Sequence, residues 1–304
     1  MKAIVLSEYG GADQLILREH AEPEPGAGQL KIRVSSASIN PVDWKLRSGA
    51  YKSYMPLELP AILGRDAAGE VLKVGPGVSA FKVGDQVMGL VNAGYAEFVV
   101  APVESWAKLP LGLEPTDAGA LPLVLLTGDQ LATVTLGNAD VKGKTLLVTG
   151  ATGAVGRVAA WVAKQRGAKV IAGVRGKHLE EAKTLGVDGV LALDDQAALS
   201  QFAQVDFIAD TVGGKTIEEL LPKLKPGGVI GSVVGEPAGA KAHGITVRAF
   251  MAHPDAKRLA ELGTAVANGL LVIPIAKRFP LAEAAAAQAL AERGGANGKV
   301  LLVV

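Results

Sequence analysis

Cysteine is absent from the 304-residue sequence. That absence excludes disulfides, thiolate nucleophiles and every cysteine-ligated zinc site. Histidine is scarce: His20, His178, His243 and His253 are the whole set, and their spacing matches no metal-ligand pattern. Only His243 and His253 lie near each other, and exposed loop positions account for both, so no metal site is expected. Neither sign of charge is in excess, the formal net charge being +1, which gives no electrostatic reason to expect nucleic acid as a partner. No uninterrupted apolar run reaches the ~20 residues needed to span a bilayer. The opening MKAIVLSEYGG lacks the apolar core and cleavage site of a signal peptide and reads as a first β-strand. The expectation is a cytoplasmic protein with neither membrane nor nucleic-acid partner.

What is present is a chain of two textures, as its length suggests. From Met1 to about Leu113, proline and glycine interrupt the sequence every few residues. Short strand-like pieces lie between them: Lys2–Leu6, Gln29–Ser36, Gly69–Val74, Gln86–Leu90 and Ala96–Ala101. This pattern predicts an all-β barrel or sandwich. A long helical stretch follows over Pro115–Gly137, and then regular alternation. Strands are predicted at Lys144–Thr149, Lys169–Val174, Gly189–Leu193, Val205–Thr211 and Gly228–Val234. Helices are predicted at Ala154–Arg166, His178–Leu185 and Lys215–Leu224. Apolar strands alternating with helices imply a parallel sheet covered on both faces. The tail reads as a helix at Asp255–Asn268, a strand at Leu271–Ala276, an alanine-rich helix after Pro280 and a last strand, Lys299–Val304.

The most informative segment runs Thr145-Leu-Leu-Val-Thr-Gly150-Ala-Thr152-Gly153-Ala154-Val155-Gly156. A buried strand enters glycines 150, 153 and 156, which open an amphipathic helix. Glycine permits the tight turn, the close approach of a pyrophosphate to backbone, and helix-on-strand packing. The free N–H groups and positive end of the helix then face the phosphates. Strand, triplet, helix and second strand sit at the proper separation for a dinucleotide site. At the end of the second strand an NAD site places an acid for the ribose 2′-OH. Here the sequence is Val170-Ile-Ala-Gly-Val-Arg175-Gly-Lys177, with no acid before Glu180. Arg175 as a planar fork and Lys177 as a point charge suit a 2′-phosphate, so NADPH is the expected cofactor. Two solvated loop cations are the alternative.

Taken together, the chain resembles the zinc-free quinone oxidoreductase and enone reductase branch of the medium-chain dehydrogenase/reductase superfamily. The resemblance rests on Ile39-Asn40-Pro41-Val42-Asp43-Trp44-Lys45 with Arg47-Ser48-Gly49, and on Leu63-Gly64-Arg65-Asp66-Ala67-Ala68-Gly69-Glu70-Val71. It continues through Phe81–Val87, Gly94–Val99, Ala120–Thr127, Asp210–Gly214, Leu224–Gly228 and Gly298-Lys299-Val300. It implies an α/β protein with a GroES-like β-rich catalytic domain over 1–120 and 270–304. A Rossmann domain, a doubly wound parallel sheet, occupies 121–269. The last strand would return to the first domain, the active site would lie in the cleft, and a homodimer is expected. Zinc-dependent relatives place a cysteine where Asn40 stands and a His-Glu pair where Arg65-Asp66 stand. Without a Lewis acid, alcohol oxidation is disfavoured, and hydride addition to quinones or α,β-unsaturated carbonyls is the implied chemistry.

By the same resemblance, the loop Asn40–Tyr51 lies under the nicotinamide. Asn40 would donate from its amide, Lys45 would supply positive charge, and Tyr51 a hydroxyl as donor or proton source. Each has a plain alternative: a turn residue, a solvated cation and a hydrophobic wall. Thr127 is placed to hold the nicotinamide carboxamide. Thr152, Ala154, Val155, Val212 and Gly235 are expected beside the cofactor with the glycine triplet, and Gly235 beside the nicotinamide ribose. Lys45, Asp129 and Leu193 depart from common family residues. The competing reading is a catalytically silent NADPH-binding structural or sensor protein.

Overall fold

The computed structural model describes residues 1–138 and 140–304. In chain order its first strands are β1 Lys2–Leu6, β2 Leu15–Glu19, β3 Gln29–Ser38, β4 Ala61–Ile62, β5 Asp66–Val74, β6 Gln86–Leu90, β7 Phe98–Pro102 and β8 Trp106–Lys108. Next come β9 Thr145–Thr149, β10 Lys169–Val174, β11 Gly189–Ala192, β12 Val205–Asp210, β13 Leu224–Ser232 and β14 Thr246–Ala249, then β15 Ile275–Pro280 and β16 Lys299–Val303. The helices are α1 Pro41–Arg47, α2 Pro115–Ala118, α3 Pro122–Leu136, α4 Ala154–Gln165, α5 Leu179–Lys183, α6 Gln196–Gln201, α7 Gly214–Leu220, α8 Ala256–Ala267 and α9 Ala284–Arg293. The chain divides into two units, Met1–Leu123 with Pro254–Val304, and Val124–His253.

The first unit is built on a seven-stranded sheet in the order β15-β16-β3-β5-β6-β8, with β7 also paired to β3. Alternation in β3 turns Leu30, Ile32 and Val34 onto a core shared with Val71, Val87, Val99 and Trp106. The C-terminal strand does return here: β16 runs antiparallel to β3, with Leu301 opposite Ser38 and Val303 opposite Ser36. A second core joins Ile4, Leu6, Ile39, Leu63 and Leu302 with Leu46, which docks α1. A smaller sheet, β2-β1-β4, completes the unit.

The second unit holds a parallel six-stranded sheet in the order β11-β10-β9-β12-β13-β14. The chain winds outward from β9 to β11, then restarts on the other side at β12. That reversal beside β9 is the topological switch point where such sheets bind ligands. Leu146, Leu147 and Val148 are fully buried, as strands covered on both faces require. Helix α4 turns Val158, Ala159 and Val162 inward, the i+3, i+4 and i+7 positions counted from Val155 that the periodicity indicates.

Local differences from the sequence reading have physical causes. The stretch Asn40–Tyr51 is not all loop: Asn40 is the N-cap of α1, Pro41 takes the first helical position, and the Asp43 carboxylate accepts the Asn40 N–H at 2.8 Å. The long helix over Pro115–Gly137 is broken between α2 and α3. Pro122 disfavours helix in the residue before it, and Gly119 packs so closely that a Cβ would lie 2.4 Å from Ser36 Oγ. The strand expected at Leu271–Ala276 begins at Ile275 instead, after Pro274, which has no N–H to donate. Residues 254–269, read with the Rossmann domain, fall in the first unit. Helix α8 seats Gly263 against Met88, where a Cβ would come within 2.4 Å of the methionine methyl.

Candidate active site

In the second unit the turn after β9 is shaped by glycine. Gly150 has φ +64°, and a Cβ there would lie 2.5 Å from Thr211 Oγ1. At Gly156 a Cβ would meet Gly150 O at 2.3 Å and Ala151 Cα at 2.8 Å, so the first turn of α4 rests on the strand-end backbone. Gly153 is the N-cap, and the N–H groups of Ala154, Val155 and Gly156 begin the helix without intrahelical acceptors. Arg157 Nε donates to Thr152 O at 2.9 Å and pairs with Glu181, pinning the glycine loop. The structure therefore brings Gly150, Thr152, Gly153, Ala154, Val155 and Gly156 together in one turn at the N-terminus of α4, a geometry that suits an anion. Gly156→Ala is expected to cost about 1–3 kcal/mol of stability through backbone overpacking. It should also weaken cofactor binding; thermal unfolding and a fluorescence titration check both.

Beneath the switch point the buried Asp210 carboxylate organises the neighbouring turn. It accepts from Thr149 Oγ1 at 2.7 Å and from the Val212 and Gly213 N–H groups at 3.1 Å each. Thr211 Oγ1 closes the arrangement on Thr149 O at 2.7 Å. Val212 is thereby presented at 47% exposure. Sequence reasoning did not assign Asp210 a role. Its signal was an acid closing an apolar strand just ahead of Gly213-Gly214, where turn N–H groups need an acceptor. Gly235, at φ +107°, follows the end of β13, and Thr127 is buried on α3.

Arg175 and Lys177 are both exposed at the end of β10, and neither makes an ion pair among the described residues. The fold adds an acid that the local sequence does not show: Asp194, after β11, accepts the Gly176 N–H at 2.7 Å. Its Oδ1 is thus engaged by backbone between the two cations.

In the first unit, Lys45 on α1 donates to the Tyr51 hydroxyl at 3.1 Å, and its ammonium stands 5.2 Å from the Tyr51 ring centre. Tyr54 packs on Tyr51 with ring centres 4.7 Å apart and is 55% exposed. Burial pushes the Tyr51 phenol up, but hydrogen bonds from Tyr54 and Lys45 and the lysine charge outweigh it. The net effect holds Tyr51 below the usual tyrosine range. Lys45 has no carboxylate partner among the described residues.

Asn40 stands apart from that pair. It is buried, and its Nδ2 donates to Asp66 Oδ2 at 2.7 Å and to Ser38 Oγ at 3.2 Å. Its Oδ1 accepts from Lys299 Nζ at 2.5 Å. Every polar atom of its amide is therefore engaged inside the protein. Asp43 lies in the same buried group, accepting from Tyr95 Oη at 2.8 Å through Oδ2, while Oδ1 has no partner. Burial pushes the Asp43 carboxyl up against hydrogen bonds from Tyr95 and Asn40, and Asp66 adds to the rise, to about 7. A folded-state value above the unfolded one gives stability that is complete below about pH 4 and is lost as pH rises through about 7. Asp43→Asn should therefore raise the melting temperature relative to the unsubstituted protein more at pH 8 than at pH 5. The ceiling is a few kcal/mol, and a difference constant across that range would show that Asp43 does not titrate there.

Residues 26–111 match the alcohol dehydrogenase GroES-like domain and residues 185–302 the zinc-binding dehydrogenase domain. The chain is 30% identical to a chloroplast envelope quinone oxidoreductase homolog of Arabidopsis thaliana, over 99% of this chain and 98% of that protein. It is 29% identical to the NADPH-dependent alkenal/one oxidoreductase, chloroplastic, of the same plant, over 99% of this chain and 79% of that protein. The structure of the quinone oxidoreductase from Coxiella burnetii superposes with a TM-score of 0.89 at 31% identity, covering 100% of this chain and 99% of that one.

The zinc in that domain description does not fit these residues. Cysteine is lacking throughout, and the described residues contain no group of three or more His, Cys, Asp or Glu able to hold a metal. A nicotinamide dinucleotide fits, because the turn at Gly150–Gly156 opens α4 at Gly153 and leaves the first helical N–H groups without intrahelical acceptors, as a phosphate requires. No helix among the described residues is long and apolar enough to cross a membrane. Fold and relatives converge: the chain belongs to the quinone oxidoreductase branch of the medium-chain dehydrogenase/reductase superfamily and is an oxidoreductase.

Proposed function

We propose that this protein is an NADPH-dependent, zinc-independent reductase of quinones or α,β-unsaturated carbonyl compounds. The observation that carries the reading is the Lys45–Tyr51 pair, an ammonium 3.1 Å from a phenol with no carboxylate partner among the described residues. NADPH, when bound, supplies the hydride. The rest of the chemistry concerns the acceptor's oxygen, where negative charge grows as the hydride arrives at the far end of the conjugated system. Tyr51 donates its hydroxyl proton to that oxygen, and Lys45 stabilises the charge as it develops. Tyr54, packed on Tyr51 and open to solvent, gives the phenol a route to reprotonation. Hydride plus proton completes a two-electron reduction. Asn40 serves this pair by position: it is the N-cap of α1, which carries Lys45, with its N–H held by Asp43 and its amide anchored by Lys299 and Asp66.

NADPH rather than NADH is supported by Arg175 and Lys177, exposed at the end of β10 and without ion pairs among the described residues. Support also comes from the related NADPH-dependent alkenal/one oxidoreductase. Zinc independence is supported by the residue inventory. The test follows NADPH absorbance with 1,4-benzoquinone, 9,10-phenanthrenequinone, an alkyl vinyl ketone and a long-chain 2-alkenal, each repeated with NADH and after dialysis against a chelator. Turnover with NADPH, weak turnover with NADH and no loss on chelation are expected. NADPH binding without turnover of any acceptor would instead favour a silent binding protein.

A further inference from the structure

Four elements of the first unit, β3, the N-terminus of α1, β5 and β16, meet at a cluster of buried polar side chains. Lys299, first residue of β16 and 6% exposed, donates to Asn40 Oδ1 at 2.5 Å and to Ile39 O at 3.1 Å. Burial pulls the Lys299 ammonium below the usual lysine range, and the Asp66 and Asp43 carboxylates act against that to keep it charged. Asp66 is itself fully used: Oδ2 accepts from Asn40 Nδ2 at 2.7 Å and from Ser38 Oγ, and Oδ1 accepts the Leu123 N–H at 2.6 Å.

The chemistry of the two partners leaves Asn40 one orientation. An ammonium only donates and a carboxylate only accepts. Asn40 must therefore turn Oδ1 to Lys299 and Nδ2 to Asp66. Its backbone N–H is meanwhile held by Asp43, one turn into α1. We propose that Lys299 is a positioning residue, whose buried ammonium locks the Asn40 amide and so fixes α1 and the Lys45–Tyr51 pair for the acceptor's oxygen. The inference rests on the reductase reading above and extends it to a residue on the last strand, far from the pair in sequence.

The absence of native cysteine makes a clean experiment possible. Lys299→Met, the double variant Lys299→Met/Asp66→Asn, and Lys299→Cys before and after aminoethylation would be compared with the unsubstituted protein. Each is assayed for melting temperature, NADPH dissociation constant, and kcat and KM for an alkyl vinyl ketone. Aminoethylation of the unique thiol restores an ammonium at nearly the lysine's length. The double variant removes both charges together, a change that buried pairs often tolerate. Misplacing catalytic groups by about 1 Å can cost ~10²-fold. Folded variants without the ammonium are therefore expected to lose roughly 10- to 100-fold in kcat with NADPH affinity unchanged, and aminoethylated Lys299→Cys to recover most of it. A folded variant without the ammonium that turns over within about twofold of the unsubstituted protein, whatever its melting temperature, overturns the role. If the unsubstituted protein shows no turnover, the reductase reading fails, and this role falls with it.

Discussion

Tyr51→Phe is expected to lower kcat for an enone by about 10²-fold while leaving NADPH affinity unchanged. General-acid donation is worth ~10²–10⁴, and the lower end applies because Lys45 still meets part of the charge. A quinone becomes aromatic on reduction and needs less help, so its loss should be smaller. The pH profile carries a second signature. Burial raises the Tyr51 phenol, yet Tyr54 and Lys45 bring it below the usual tyrosine range. The hydroxyl proton is available below that value and lost above it, so activity should fall with rising pH earlier than for an ordinary phenol. In Lys45→Met the fall should move upward, because a hydrogen bond and a charge that lower the value are both removed. Steady-state kcat for an alkyl vinyl ketone, taken across pH for the three proteins, is the measurement. A Tyr51→Phe protein with full kcat for the ketone would remove Tyr51 from the chemistry.

Arg175→Ala is expected to weaken NADPH binding by roughly 10- to 100-fold, from the ~1.5–3 kcal/mol of hydrogen bonding to a charged group. NADH, with no 2′-phosphate, should change little. Lys177→Ala should show the same direction with a smaller loss, since an ammonium on a flexible stem lacks the fork geometry of arginine. Both side chains are exposed, so salt should weaken NADPH binding more than NADH binding. Fluorescence titration of each variant with each cofactor settles the matter, and equal losses for NADPH and NADH would reject the assignment. Asp194 bears on the result. Its carboxylate accepts the Gly176 N–H, which keeps the acid occupied and shapes the turn that presents both cations.

The two halves of the chain differed in how much of this could be read in advance. The Rossmann sheet was legible because its signals are local. A continuous apolar strand, a glycine triplet and a helical repeat within a dozen residues specify strand, turn and helix without long-range help. The order of its first five strands then follows from right-handed crossovers; the sixth, β14 at Thr246–Ala249, has no such local signal and was not read from the sequence. In the β-rich unit single strands such as Lys2–Leu6 and Gln86–Leu90 were legible, but not their partners, since they pair across long stretches of chain that no local pattern records. Helix α1 was the avoidable omission: Asn40-Pro41-Val42-Asp43 has the N-cap, first-turn proline and third-position acid of a helix start.

The sequence by itself determined the chemistry available to this protein. It set the absence of cysteine ligands, the glycine turn that opens α4, the cations after β10, and a segment rich in donors from Asn40 to Tyr51. Each is a property of residue type or of neighbours within a few positions. Only the tertiary structure decided how those groups are used. It paired Lys45 with Tyr51, buried Asn40 between Lys299 and Asp66, set Asp210 beneath the switch point, and brought Asp194 to Gly176. Lys299 and Asn40 are 259 positions apart. A lysine heading an apolar strand reads from sequence as a solvated cap. It becomes a buried cation only because β16 pairs beside β3, which carries its ammonium to an amide and two carboxylates that must be satisfied away from water.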